Sequence, residues 1–257
     1  MPWAECVTAD AGARTEAVGG WAAATTLCVM TPPLTPTVGW NVLHLFCQVT
    51  PLADGAALAS AVKAIEADDH QVVPVALVGH RGDVCLLALG PDLWRLRRFQ
   101  TEVVEAGFDV VDSYVSLTEV SEYAEGMPEA RKQARLYPQL PPEGKTAFCF
   151  YPMSKRRGDK HNWYELPYDE RESLMMGHGA TGRTFAGRVL QLVTGSTGLD
   201  DYEWGVTLFG VHPDDLKACV YQMRYDEASA RFAEFGPFVT GAVGTVDEVL
   251  AAVGVRS

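Results

Sequence analysis

Apolar residues recur along the chain with two different spacings, beginning near residue 38. Short runs rich in Val, Leu and Phe are typical of strands that are covered on at least one face. Stripes at i, i+4 and i+7 are typical of amphipathic helices, and Leu58, Val62 and Ile65 form one. The first half is therefore predicted to have the order β-α-β-β-α-β, with strands at 40–49, 72–78, 84–89 and 108–117 and helices that begin at Asp54 and Pro91.

The same order returns in the second half of the chain. Leu216, Val220 and Met223 form another clear helical stripe. The predicted elements are strands at 146–153, 189–194, 202–211 and 238–243 and helices at 167–179 and 213–224. Two successive βαββαβ units predict an α+β chain of two fused ferredoxin-like halves. Such halves can join into a dimeric α+β barrel, with a cavity between the sheet and its helices.

Four segments follow from this pattern and from the composition between the elements. Residues 1–36 are rich in Ala, Thr, Gly and Pro and are predicted to be a flexible N-terminal extension. The N-terminal ferredoxin-like half is predicted at 37–120 and the C-terminal half at 146–257. Residues 121–145 are charged and rich in Pro, which is typical of a connector.

Composition and charge narrow the class of protein. The formal net charge of −12 over 257 residues disfavours nucleic acid or an anionic membrane as a partner. The six cysteines are scattered without a C-x-x-C pair, so we expect reduced thiols and no zinc site. No apolar run reaches the roughly 18 residues that span a bilayer, and the acidic residues Glu5, Asp10 and Glu16 precede the first apolar stretch, where a signal peptide would carry positive charge. We therefore expect a cytoplasmic protein.

Positive charge concentrates near the end of one predicted strand. Lys155, Arg156 and Arg157 follow Tyr151 closely, and Arg135 comes shortly before the strand. A charge run of this kind is most often a solvated loop. In an acidic protein it is also suited to bind an anionic ligand, because arginine pairs with carboxylates through two hydrogen bonds and lysine acts as a point charge.

His178 lies on a predicted helix, with Leu174 and Met175 on the same face. A histidine in this position is more often a hydrogen-bonded core residue than a ligand. An imidazole among apolar side chains beside a cavity can, however, also hold an iron porphyrin through one axial nitrogen. The residues alone leave both interpretations open.

A series of motifs in the second half resembles those of a known family. The motifs are Arg135-Leu136-Tyr137-Pro138, Cys149 to Arg157, Asn162-Trp163-Tyr164, His178-Gly179, Gly182-Arg183, Asp200 to Phe209 and Met223 to Glu227. On these motifs the chain is similar to the coproheme decarboxylases of the chlorite dismutase-like superfamily. The resemblance covers about residues 39–242. It implies two ferredoxin-like halves per chain, usually assembled into a homopentameric ring.

The resemblance also implies an activity: the peroxide-dependent decarboxylation of two propionates of iron coproporphyrin III (coproheme), which gives haem b. The porphyrin is then both substrate and cofactor. His178 matches the iron ligand, Tyr151 the radical-forming tyrosine and Lys155 a lysine near the reacting propionate. Substrate-binding roles fall on Arg135, Tyr137, Met153, Trp163 and Gln191. The implied partners are coproheme, hydrogen peroxide and, in transient contact, ferrochelatase.

Two positions qualify the resemblance. Gln191 stands thirteen residues after His178, where chlorite dismutases carry an arginine, so chlorite chemistry is disfavoured. Pro237 stands where relatives have a serine that donates a hydrogen bond to a propionate, and Arg231 is the candidate to compensate. The main alternative is a non-catalytic haem-binding or haem-sensing member in which Tyr151 is a packed strand residue. A peroxidase acting on other substrates is less favoured, because the amide of Gln191 cannot transfer protons.

Overall fold

The computed structural model describes residues 32–124 and 126–256, so the part of the predicted extension up to residue 31 lies outside the described residues. The strands of the described part are β1 Asn41–Val49, β2 Gln71–Val78, β3 Val84–Gly90, β4 Phe108–Thr118, β5 Ala147–Lys155, β6 Val189–Gly195, β7 Trp204–Gly210, β8 Ala233–Phe235 and β9 Val239–Val243. Its α-helices are α1 Gly55–Glu66, α2 Leu93–Glu105, α3 Glu129–Leu136, α4 Tyr168–Arg183, α5 Pro213–Met223, α6 Glu227–Phe232 and α7 Val246–Ala252.

The strands form one antiparallel sheet that closes on itself. In the first half the order is β4-β1-β3-β2, and in the second half it is β9-β5-β7-β6. The two orders are the same if the short β8 is left out: in each half the fourth strand lies beside the first, followed by the third and then the second. The halves join where β4 pairs with β6 and where β2 pairs with β9. The predicted fold of two ferredoxin-like halves is therefore confirmed, and their two sheets close into a barrel.

Three apolar layers hold this arrangement. The barrel interior is filled by large side chains from both halves, including Phe46, Phe148 and Phe209. On the outer face of the first half, α1, α2 and α7 cover a second layer. On the outer face of the second half, α5 covers a third layer that contains Tyr151 and Leu208. The central strands β1 and β3 are covered on both faces, which explains why their apolar residues form runs rather than an alternation.

Local sequence signals set the ends of several helices. Asp54 and Asp92 are the N-caps of α1 and α2, and each side chain accepts a hydrogen bond of 3.0 Å from a backbone N–H of the first turn. Leu58, Val62 and Ile65 are buried, as the stripe in α1 predicts. The N-terminal boundaries of these helices follow directly from residues that favour caps.

The structure differs from the predicted elements in a few places. The connector contains the helix α3, and α4 continues to Arg183. The strand β7 begins only at Trp204, because residues 196–203 form a turn closed by a backbone hydrogen bond between Ser196 and Glu203. The short elements α6, β8 and α7 are not in the prediction. Each has seven residues or fewer, too few periods for a hydrophobic pattern.

Four cysteines of the described part are buried and unbonded, as expected for a reduced protein: Cys47, Cys85, Cys149 and Cys219. None of the helices in residues 32–124 and 126–256 combines the length and the apolar character needed to cross a bilayer.

Candidate functional site

One face of the sheet formed by β5, β6 and β7 carries several of the predicted site residues. Residues paired across antiparallel strands project to the same side of a sheet. Tyr151 pairs with Val206, and Met153 projects the same way two residues further along β5. Gln191 pairs with Leu208, which is two residues from Val206 on β7. The register therefore places Tyr151, Met153 and Gln191 on one face.

The helix α4 lies near this face but is not packed tightly against it. It is the longest helix among the described residues, yet none of its residues is buried. Its main packing partners are α5 and α6. Near its C-terminal end, a Cβ added to Gly182 would lie 3.4 Å from Nε2 of Gln191. A helix normally buries an apolar stripe, so an unburied helix beside an apolar sheet face leaves a cleft for a ligand.

His178 is half-buried on α4, and its ring is held by α6. Nδ1 lies 2.9 Å from Oδ2 of Asp226 and 3.4 Å from Oγ of Ser229. Asp226 is also the N-cap of α6. Burial raises the pKa of Asp226, but hydrogen bonds from His178 and Ser229 outweigh burial and bring the pKa below its ordinary value.

The contact with Asp226 leaves the other ring nitrogen of His178 available. A carboxylate on Nδ1 makes Nδ1 the donor and Nε2 the basic nitrogen, as in most metal-binding histidines. Nε2 makes no hydrogen bond to any residue of 32–124 or 126–256. The imidazole is thus oriented and has a free lone pair.

Lys155 is buried at the end of β5. Its Nζ lies 4.2 Å from the ring centroid of Trp163, a cation–π contact. Burial lowers the pKa of Lys155 to about 8, although the carboxylates of Asp226 and Glu203 favour its charged form. Glu203 also accepts a hydrogen bond of 2.7 Å from the backbone N–H of Lys155. Asp226 therefore interacts with both the histidine and the lysine.

The phenol of Tyr151 is almost completely covered, with 8% of the residue exposed. Phe238 stacks on it, with ring centroids 4.6 Å apart and an interplanar angle of 28°, and Phe235 contacts it edge-on at 5.6 Å. Burial raises the pKa of Tyr151 well above its usual range, with smaller effects of Cys149 and Cys219. The hydroxyl makes no hydrogen bond within the described residues. Tyr151 is therefore a neutral, largely covered phenol whose hydroxyl has no protein partner among the described residues.

The side-chain amide of Gln191 faces the apolar layer that contains Tyr151. Its Nε2 lies 3.6 Å from Sγ of Cys219. Burial raises the pKa of Cys219 to about 11 and that of Cys149 to about 12, so both remain thiols near neutral pH. The side chains around Tyr151 on this face consequently carry no charge.

Comparisons with known proteins identify the family of this chain. The family model described as chlorite dismutase matches residues 54–244. The chain belongs to the chlorite dismutase family. A coproheme decarboxylase of Staphylococcus saprophyticus is 41% identical over 183 residues, which cover 67% of this chain and 73% of that protein.

Two further relatives of this chlorite dismutase family member are named for heme. A protein of Natronomonas pharaonis that is named as heme-binding is 45% identical over 193 residues, which make up 68% of this chain. The chain spans only about a third (32%) of that protein's length. The solved structure of a heme-binding protein from Thermus thermophilus has a TM-score of 0.75 at 35% identity, over 87% of this chain and 98% of the other.

The connector places Arg135 and Tyr137 in different surroundings. Arg135 is exposed on α3 and has no ion pair within the described part. The hydroxyl of Tyr137 accepts a hydrogen bond of 3.3 Å from the backbone N–H of Gly39. A cavity of about 550 Å³ beside α3 is lined in part by Trp204, which pairs with Met153. This cavity adjoins the site face but does not include Tyr151 or His178.

The predicted cluster of positive charge is divided by the strand end. Lys155 points into the protein, whereas the arginines near it form ion pairs with carboxylates, one of which, Glu203, is buried. The pairs are Arg156 with Glu234 at 3.4 Å, Arg157 with Glu203, and Arg231 with Glu227 at 2.7 Å. Arg231, the candidate to compensate for Pro237, is therefore already engaged, and Trp163 contacts Lys155.

Three residues with clear structural roles at the site were not assigned from the sequence. Asp226 orients His178, Glu203 holds the backbone of Lys155, and Phe238 covers Tyr151. Asp226 and Glu203 belong to the motifs of the resemblance, and this membership could have indicated them as site residues. Nothing in the sequence pattern connects Phe238 with Tyr151.

Proposed function

We propose that this protein is a coproheme decarboxylase, which converts two propionates of iron coproporphyrin III to vinyl groups with hydrogen peroxide and so forms haem b. The observation that carries the proposal is the oriented imidazole of His178 beside a cleft whose sheet face holds the neutral phenol of Tyr151. The 41% identity to a protein named coproheme decarboxylase supports it.

The residues present fit an iron porphyrin. The macrocycle needs an apolar wall and one axial nitrogen, and the sheet face and Nε2 of His178 meet these needs. Within the described residues, no three His, Cys, Asp or Glu side chains gather to hold a metal ion on their own. Iron held inside a porphyrin needs no such group. Asp226 would strengthen the bond of His178 to the metal by increasing the basicity of the imidazole.

When bound, the iron porphyrin supplies the oxidation chemistry, with peroxide as the oxidant. The other steps of the reaction are carried out by side chains of this protein. Tyr151 gives up an electron together with its phenolic proton and then takes a hydrogen atom from a propionate β-carbon. No described residue accepts a hydrogen bond from the Tyr151 hydroxyl, so its proton passes to a group in the cleft, such as a propionate.

Gln191 argues against chlorite as the substrate. Its side chain is a neutral amide, which can donate a hydrogen bond but has neither the charge of an arginine nor a titratable proton. We propose that it covers the open side of the ligand and leaves the oxidation to Tyr151. Wild-type protein should then release negligible oxygen from chlorite.

The function is tested by mixing the purified chain with ferric coproporphyrin and peroxide under anaerobic conditions. Mass spectrometry of the porphyrin should show the tetracarboxylate giving way to a monovinyl tricarboxylate and then to a divinyl dicarboxylate. Bleaching of the porphyrin without vinyl products would contradict the proposal. It would instead support a non-catalytic haem-binding or haem-sensing protein; the Natronomonas relative is named only as heme-binding.

Lys155 provides a pH-dependent prediction. Its charged form should attract a propionate, and with a pKa of about 8 this cation is present at lower pH and is lost as the pH rises through 8. The rate of decarboxylation should therefore fall above about pH 8. In Lys155→Arg the cation persists at high pH, so the fall near pH 8 should disappear. Lys155→Met, which is uncharged, should be slow at every pH and should accumulate the monovinyl intermediate.

If Lys155→Arg keeps the same fall near pH 8, another group is responsible for the pH dependence. The pH profile is measured separately for the formation of the tricarboxylate and for its conversion to the dicarboxylate, at saturating coproheme, so that the step that depends on Lys155 is identified.

We further propose, on the resemblance, that the protein acts in the cytoplasm as a homopentamer and receives coproheme in transient contact with ferrochelatase. The exposed Arg135 is a cation of the connector that could hold an outer propionate.

A further inference from the structure

The loop that connects β8 and β9 crosses β5 at the level of Tyr151. β8 pairs with the end of β5, where Met153 lies opposite Phe235, and β9 pairs with its beginning, where Phe150 lies opposite Val239. Residues 236–238 bridge the two pairings. The loop is therefore tied to β5 on both sides of the tyrosine.

Close contacts fix this loop in place. The backbone N–H of Gly236 donates a hydrogen bond of 2.8 Å to the carbonyl oxygen of Pro152. A Cβ on Gly236 would lie 2.6 Å from Cγ of Pro152 and 2.8 Å from the ring of Tyr202, so only glycine permits this approach. Pro237, the next residue, fixes its own φ angle. The backbone thus delivers the side chain of Phe238 to a defined position.

Phe238 covers one face of the Tyr151 ring. Its ring is 41% exposed, while Tyr151 beneath it is 8% exposed. The two rings are stacked, whereas the ring of Phe235 meets Tyr151 edge-on at an interplanar angle of 69°. The titratable side chains on the other sides of Tyr151 are the thiols of Cys149 and Cys219, which are uncharged near neutral pH. No charged side chain of the described residues thus competes with Phe238 in setting the surroundings of the phenol.

We propose that Phe238 is a positioning residue for Tyr151: its ring fixes the orientation of the phenol and shields the covered face from water, so that the hydroxyl is directed to a ligand in the cleft. The catalytic meaning of this role rests on the proposed function. The covering of Tyr151 does not, because it is a property of the protein without porphyrin.

The covering is tested on the porphyrin-free chain with tetranitromethane, which nitrates phenolates, and with peptide mass spectrometry to assign each nitrated tyrosine. In Phe238→Ala, water reaches the phenol and its pKa falls. One unit of pKa raises the phenolate population about tenfold, so nitration of Tyr151 should rise at least about tenfold at pH 8. Phe238→Leu, which keeps an apolar cover, should give a much smaller rise.

Controls come from other aromatic residues of the same chain. Phe235→Ala removes the edge-on ring and should change nitration of Tyr151 far less than Phe238→Ala. Tyr225 is exposed and should react equally in all variants, whereas Tyr114 is buried in the barrel and should stay unreactive. If Tyr114 becomes reactive in Phe238→Ala, that variant has lost its native packing. The nitration of Tyr151 in Phe238→Leu then tests the proposal. Unchanged nitration of Tyr151, or an equal rise in Phe235→Ala, would overturn the proposal.

A spectroscopic measurement separates this proposal from the proposed function. After peroxide is added to the coproheme complex, the radical signal in the paramagnetic resonance spectrum should be narrow in wild type and broader in Phe238→Ala, because an uncovered ring adopts more orientations. If Tyr151→Phe still decarboxylates, the radical role of Tyr151 fails, while the nitration result for Phe238 still holds. If the spectra of wild type and Phe238→Ala are identical, Phe238 does not orient the ring.

Discussion

Tyr151→Phe is expected to abolish decarboxylation while ferric coproporphyrin still binds. Phenylalanine keeps the ring that stacks on Phe238 but lacks the oxidisable O–H. The rate should fall by at least about 100-fold, the scale found when a group that moves a proton in the transition state is removed. Stability should not fall, because the lost hydroxyl has no hydrogen-bond partner within the described residues. Mass spectrometry of the porphyrin and a binding titration measure the two effects.

The matched control is Tyr114→Phe. This tyrosine is also buried, but it lies in the barrel interior and its hydroxyl is hydrogen-bonded to Ser196. The substitution should lower stability by about 1 kcal/mol and leave the rate unchanged. If Tyr151→Phe forms haem b at nearly the wild-type rate, the radical does not reside on Tyr151, and Trp163 or Tyr164 becomes the next candidate.

His178→Ala is expected to remove the axial ligand and to weaken porphyrin binding severely. The ferric absorption spectrum should lose its histidine-ligated form, and added imidazole should restore part of it. Asp226→Asn should have an intermediate effect of about 10- to 100-fold on affinity or activity, since it removes the charge behind the ligand. Asparagine is as good an N-cap as aspartate, so α6 should remain formed.

His212→Ala is the control for a histidine without a place in the cleft. His212 is exposed at the start of α5, and its replacement should change neither the spectrum nor the affinity. An unchanged ferric spectrum in His178→Ala would show that another group binds the iron.

Much of the fold follows from local patterns. The eight strands that close the barrel and the helices α1, α2, α4 and α5 were all predicted, because each is long enough to show a run or a stripe of apolar residues. The short elements α3, α6, β8 and α7 were missed. In a segment of eight residues or fewer, packing and capping outweigh any periodicity.

The candidate site divides in a similar way. Tyr151, Lys155, His178 and Gln191 were singled out because each belongs to, or is spaced from, a quoted motif. The motifs do not show which residues contact and support these four side chains. His178 meets Asp226 across 48 positions of the chain, and Tyr151 meets Phe238 across 87. Contacts over such separations depend on strand order and register.

The distribution of charge shows why the tertiary structure was needed. In sequence, Lys155, Arg156 and Arg157 form one positive run. In the structure β5 ends at Lys155, whose side chain is buried, whereas Arg156 and Arg157 follow the strand end and pair with Glu234 and Glu203.

The sequence by itself determined the order of elements, the repeated ferredoxin-like halves and the residues of the family motifs, since periodicity and motif spacing are local properties. Only the tertiary structure decided which side chains share the cleft. The pairing of β4 with β6 and of β2 with β9 closes the barrel and sets the layers on either side of it. A register shift of one residue would turn Tyr151 from the cleft into the barrel interior, and no local pattern encodes that choice.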